Sequence, residues 1–94
     1  MSSSVLLAID IGNTNVTIGT FEYSAGVGRL GEHWRLSTHR EETSDELGVT
    51  LRALFDQADI HPRRVADVII SSVVPPALPI WERVSRRWNK RGAY

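Results

Sequence analysis

Apolar residues fall in two dense, strand-like runs and in several periodic stretches, and the two patterns predict different elements. Val5-Leu6-Leu7-Ala8-Ile9 is continuous, bounded by serine on one side and Asp10 on the other. A short unbroken run of this kind predicts a strand covered on both faces. Gly12-Asn13-Thr14-Asn15 is turn chemistry. The β-branched stretch Val16 to Glu22 then predicts a second strand, so the pair reads as an antiparallel hairpin. Ser24 to Gly31, with Gly26, Gly28 and Gly31, predicts a loop. His33-Trp34-Arg35-Leu36-Ser37 alternates bulky and polar residues and predicts a third strand, completing a meander.

Thr43-Ser44-Asp45-Glu46 predicts a helix start. Thr43 and Glu46 have capping-box spacing, and Asp45 and Glu46 suit the positive end of the helix dipole. Leu47, Leu51, Leu54, Phe55 and Ala58 fall on one helical face. That helix should end near Asp59, before His61-Pro62. Val65 to Val74 is the second strand-like apolar stretch, stopped by Pro75-Pro76. A strand, a crossover helix and another strand imply parallel pairing of the last strand with an earlier one. Ile80, Trp81, Val84 and Trp88 predict a second helix over about Leu78 to Lys90. The order is β-β-β-α-β-α, an α/β fold with a mixed sheet. The pattern calls for a further parallel strand that residues 1–94 do not contain, so a single truncated domain is expected, its final strand and any second domain absent.

Composition narrows the classes. The 94 residues hold 41% hydrophobic and 23% charged residues, ordinary globular usage for one domain. Lys plus Arg and Asp plus Glu each number 11, so the formal net charge is zero. That disfavours general binding to nucleic acid or membrane surfaces. With no cysteine, disulfides, thiolate metal sites and cysteine nucleophiles are excluded. No apolar run reaches the length of a membrane span, and no basic segment precedes Val5. A cytoplasmic protein is expected.

The chemistry concentrates in Asp10-Ile11-Gly12-Asn13-Thr14-Asn15. A carboxylate ends a strand and a turn of small polar residues follows. Gly12 permits close backbone approach and can take a positive φ. Successive turn N–H groups can form an anion-binding concavity. Asp10 alone would repel phosphate, so it makes sense with a bridging Mg²⁺ held through water. No GxxxxGK[ST] and no GxGxxG is present, and no lysine lies near the turn. Asn-rich turns also simply close hairpins, and the turn by itself leaves both readings open.

Three longer blocks carry a resemblance. LLAIDIGNTNVTIGTF resembles the opening of type III pantothenate kinases, with their D-x-G-N-T phosphate motif. WRLSTHREETSDEL resembles that family's next block, and VIISSVVPPALPIWERVSRRW its third. Together they span most of residues 5 to 88, in the family's order. The resemblance implies a ribonuclease H-like, actin-like ATPase half-domain. It implies transfer of the γ-phosphoryl of ATP to pantothenate, the first step toward coenzyme A, and a homodimer. By the match, Asp10 would organise Mg²⁺. Ile11, Gly12, Asn13, Thr14 and Asn15 would hold ATP phosphates together with Asp10, with Val16 and Thr17 at the margin.

The family's G-x-D-R motif, which carries the general-base Asp and a pantothenate-binding Arg, does not occur in these residues. Neither do its adenosine motif and the ligands of its monovalent cation (K⁺ or NH₄⁺). No catalytic residue is therefore assigned, and activity of the chain alone is not expected. Two alternatives stand beside this reading: a non-catalytic interaction or complementation fragment exposing an open strand edge, and another sugar-kinase-like member of the superfamily.

The remaining polar residues take ordinary readings. Ser71 and Ser72 end the fourth strand and are open to substrate contact or strand-end hydrogen bonding. His33, His39 and His61 lack metal-ligand spacing. Trp34, Trp81 and Trp88 read as packing residues. Arg83, Arg86, Arg87, Lys90 and Arg91 read as a solvated face.

Overall fold

The computed structural model describes residues 4–38 and 41–88. Three strands come first: β1 (Ser4–Ile11), β2 (Asn15–Ser24) and β3 (Val27–Ser37). Helix α1 (Ser44–Gln57), strand β4 (Val65–Ser72) and helix α2 (Leu78–Trp88) follow. The sheet order is β3-β2-β1-β4, with β1–β2 and β2–β3 antiparallel and β1–β4 parallel. The crossover through α1 thus returns the chain beside its first strand. Short 3₁₀ turns at Pro62–Arg64 and Pro75–Ala77 flank β4.

The core lies on one face of the sheet. Val5, Leu7, Ile9 and Ile11 of β1, Val16 and Ile18 of β2 and Val68 of β4 are buried there. Leu47, Leu51 and Phe55 of α1 and Trp81 and Val84 of α2 join them in one cluster. Full burial of a side chain such as Leu51 or Phe55 is worth about 1.5–3 kcal/mol, so this layer accounts for most of the favourable packing. Trp34 is half-buried and meets Phe55 with ring centroids 5.8 Å apart.

The other face differs from the expectation that the apolar runs are covered on both sides. Leu6 and Ala8 are half-buried, and Asp10, Phe21, Leu30 and Ile69 are exposed. No described helix covers this outer face, because the buried faces of α1 and α2 both pack into the core cluster on the other side. β4 is also an edge of the sheet among the described residues.

A second correction concerns Ser24 to Gly31. It is not a loop: β2 runs to Ser24 and β3 starts at Val27. Only Ala25 (φ 53°) and Gly26 (φ 80°) form the connection. Two consecutive positive φ values match the right-handed twist of a hairpin, which lets the strands continue. Gly28 pairs with Tyr23, and Gly31 sits in a bulge opposite Thr20. There the Thr20 hydroxyl accepts the Glu32 N–H at 2.7 Å, so the break in the ladder is satisfied.

The ends of α1 follow local chemistry. Thr43 Oγ1 accepts the Glu46 N–H at 3.2 Å, and Glu46 Oε1 accepts the Thr43 N–H at 2.9 Å. At the other end Asp59 takes φ 57°. Its N–H donates to Asp56 O, and the Ile60 N–H donates to Phe55 O at 2.9 Å. This is the Schellman pattern, with Asp59 where glycine is commonest. Beyond it, Arg64 donates to Glu22 Oε1 at 2.6 Å and ties the approach to β4 onto β2.

Candidate functional site

β1 and β4 are parallel, so their carboxyl ends lie together, where ligands of open α/β sheets gather. Asp10 sits at this end of β1 on the uncovered face. Its register partners are Thr17 on β2 and Ser71 on β4, and Thr17 pairs in turn with Arg35 on β3. The outer face therefore carries a cross-strand row, Ser71–Asp10–Thr17–Arg35, at the level of the β1–β2 turn.

The turn is closed by the Gly12 N–H donating to Asn15 O at 2.9 Å. Gly12 does not use a positive φ, since Gly26 alone among the described glycines has one. Its requirement is steric: a Cβ there would lie 3.0 Å from Asn15 O. Thr38 holds the turn from outside. Its hydroxyl donates to Gly12 O at 2.9 Å and its N–H donates to Thr14 O at 2.9 Å. The Val73 N–H donates to Ile11 O at 3.0 Å, joining the end of β4 to the same bend.

The carbonyls of Gly12, Thr14 and Asn15 are thus occupied, while backbone donors of the turn are spare. The N–H groups of Asn13 and Thr14 have no hydrogen-bond partner among the described residues. Asn13, Thr14 and Asn15 are exposed, as is Asp10. Such a bend presents donors outward and suits an anion.

The eight residues expected at the site do not share one role. Asp10, Asn13, Thr14, Asn15 and Thr17 direct side chains outward or to the uncovered face, and Gly12 shapes the turn. Ile11 and Val16 are buried in the core, at 0% and 3% exposure, so only their backbone can reach a ligand. Ser71 joins the site row. Ser72 does not: its hydroxyl accepts the Val74 N–H and donates to Val74 O, both at 3.0 Å. Thr38 and Arg35 were not singled out from sequence. Both lie in the WRLST segment, where periodicity marks Arg35 only as strand and Thr38 falls just past the predicted strand.

Among the described residues no group of three or more His, Asp or Glu side chains is placed to hold a metal. His33 and His61 are exposed, and His61 Nδ1 accepts the Arg63 N–H. Arg83 and Arg86 are exposed on α2, while His39, Lys90 and Arg91 and the side chains of Arg87 and Trp88 lie outside the description. Nor is any described helix long and apolar enough to cross a membrane.

The sheet order, the crossover and the outward-facing bend define a ribonuclease H-like, actin-like ATPase fold. Solved structures agree. RuvC of Thermus thermophilus superposes with TM-score 0.57 at 21% identity, over 89% of this chain and 56% of that one. The PPX-GPPA enzyme of Aquifex aeolicus gives 0.51 at 16%, over 92% and 33%. At sequence level, the family model for type III pantothenate kinase matches residues 6–93, past Trp88 where the block resemblance stopped. A type III pantothenate kinase of Myxococcus xanthus is 46% identical over 84 residues, covering 89% of this chain and 31% of the relative. That of Anaeromyxobacter dehalogenans is 45% identical over 87 residues, covering 93% and 33%. The chain belongs to the type III pantothenate kinase family. It spans about a third of the length of these relatives.

Proposed function

We propose that the Asp10–Thr17 bend holds the polyphosphate of ATP, and that this is the chain's part in ATP-dependent phosphorylation of pantothenate. One observation carries the reading: Thr38 and the turn's own closure occupy the carbonyls of Gly12, Thr14 and Asn15, while the N–H groups of Asn13 and Thr14 have no partner among the described residues. An anion at the bend would find two backbone donors to pair with.

Asp10 fits a Mg²⁺ that keeps most of its water. It is one exposed carboxylate beside neutral donors, and Mg²⁺ commonly takes one or two carboxylates plus substrate phosphates. When bound, the cation would neutralise phosphate oxygens during phosphoryl transfer. The turn residues orient the chain of phosphates, and Ser71 and Thr17 flank the carboxylate. No residue of this set stands as a general base for the acceptor hydroxyl, and the sequence holds no G-x-D-R motif. We therefore read residues 1–94 as the N-terminal third of the family's fold and as inactive alone.

The test is an amide titration with Mg·ATP at millimolar concentration. Shifts confined to Gly12 through Asn15 and to Thr38 are expected, and unchanged spectra there would overturn the reading. A coupled pantothenate phosphorylation assay on the same sample should show no turnover.

A second reading has its own observation, the exposed outer face bearing Phe21, Leu30 and Ile69 beside the β4 edge. On this reading the chain is an interaction fragment that docks against the remaining part of the fold.

A further inference from the structure

We propose that Arg35 is a second contact for the polyphosphate, reaching across β2 toward phosphates held at the turn. The inference rests on the reading of that turn as a polyphosphate cradle.

Register places the residue. Arg35 pairs with Thr17, and Thr17 pairs with Asp10, so all three share the outer face. Adjacent strands are roughly 4.8 Å apart, which puts the backbones of Arg35 and Asp10 about 10 Å from each other. Between them stands only the short side chain of Thr17. A phosphate beside the turn would lie over β2, within the span of a long guanidinium side chain.

Arg35 is also uncommitted. Arg29 and Arg64 pair with Glu22, and Arg52 pairs with Asp56. Arg35 is exposed and has no ion-pair or hydrogen-bond partner among the described residues. Arg63, Arg83 and Arg86 sit on other elements and belong to none of the strand pairs that form the row.

Charge supplies the reason. A nucleotide tail brings several negative charges, and Asp10 adds another. The bend offers neutral donors, and the chain's sole lysine is Lys90. Arg35 is the cation in the row. A guanidinium suits the task because its planar fork can meet two phosphate oxygens at once. The bland role for an exposed charge on β3, an outer strand of the sheet, is to discourage edge pairing, and Arg35→Lys would preserve that role in full.

Wild type, Arg35→Gln, Arg35→Lys and the charge control Arg63→Gln are titrated with Mg²⁺-tripolyphosphate, Mg·ATP and AMP, following amide shifts of Gly12 to Asn15. Arg35→Gln is expected to weaken tripolyphosphate and ATP about tenfold, as loss of a charged hydrogen bond does. AMP should change little, Arg63→Gln less than twofold, and Arg35→Lys should retain part of the affinity. In wild type, the Arg35 Nε–Hε signal should move with tripolyphosphate, a readout that needs no variant to fold. Equal affinity of wild type and Arg35→Gln, or equal losses in both glutamine variants, would overturn the role of Arg35 and leave the cradle standing. A wild-type turn that responds to neither polyphosphate would overturn the cradle, and Arg35 with it.

Discussion

The Thr38 hydroxyl donates to the carbonyl oxygen of Gly12 across a sequence separation of 26 residues, at 2.9 Å. Together with the bond from the Thr38 N–H to Thr14 O, it holds the bend from the end of β3. Thr38→Val would keep shape and remove the donor. Expected are faster amide exchange at Gly12 to Asn15, a loss of about 1 kcal/mol in stability, and weaker Mg·ATP shifts. Thr38→Ser should restore all three. Unchanged exchange in the valine variant would show that the bend holds itself.

Gly31→Ala tests the bulge. A Cβ there would lie 2.5 Å from Thr20 Oγ1 and 3.1 Å from Thr20 O. Backbone cannot give way cheaply, and Thr20 is fully buried. A loss of about 1–3 kcal/mol is expected from overpacking, read as a lower urea midpoint. Gly28→Ala, whose nearest contacts are at 3.8 and 3.9 Å, should cost less.

Asp59→Gly should stabilise. Asp59 takes φ 57° at the end of α1, a conformation that costs an L-residue roughly 1 kcal/mol and glycine almost nothing. The gain is partly offset by the greater freedom of glycine in the unfolded chain. A rise of a few tenths of a kcal/mol to about 1 kcal/mol is expected in chemical unfolding. A loss of stability would mean that the Asp59 side chain contributes more than its backbone costs.

The outer face predicts association. Ile69 is 46% exposed on β4, the strand at the open edge, and Phe21 is 40% exposed on β2. Concentration-dependent self-association is expected by sedimentation, and Ile69→Lys should weaken it through charge on the face and edge. A wild-type chain that stays monomeric across the whole concentration range would remove the interaction reading.

Local signals were the legible ones. Thr43 and Glu46 cap each other three residues apart, and Asp45 needs no distant partner to suit the first turn of α1. That β4 pairs in parallel with an earlier strand was legible from the crossover, because a helix between two strands leaves few ways back; that the partner is β1 was not. The three glycines between Ser24 and Gly31 misled for a physical reason. Turn residues suggest a loop, but Ala25 and Gly26 make the bend in two residues, while Gly31 is small because Thr20 fills its space.

At the site, Asp10 and the Gly12–Asn15 turn stood out because their residue types carry their chemistry. Thr38 and Arg35 did not, since nothing in WRLST distinguishes a residue that clamps a distant turn from one that merely ends a strand. Equally, Ile11 and Val16 lie inside the motif, yet alternation along their strands sends their side chains to the core.

Sequence by itself determined the order of elements, the helix caps, the polar bend and the family, because each depends on residues near in the chain or on the identity of whole blocks. Only the tertiary structure decided which face of the sheet stays uncovered, which carbonyls of the bend are occupied, and that Ser71, Asp10, Thr17 and Arg35 share one row. Those facts depend on strand register, and register is settled by packing among residues far apart in the chain.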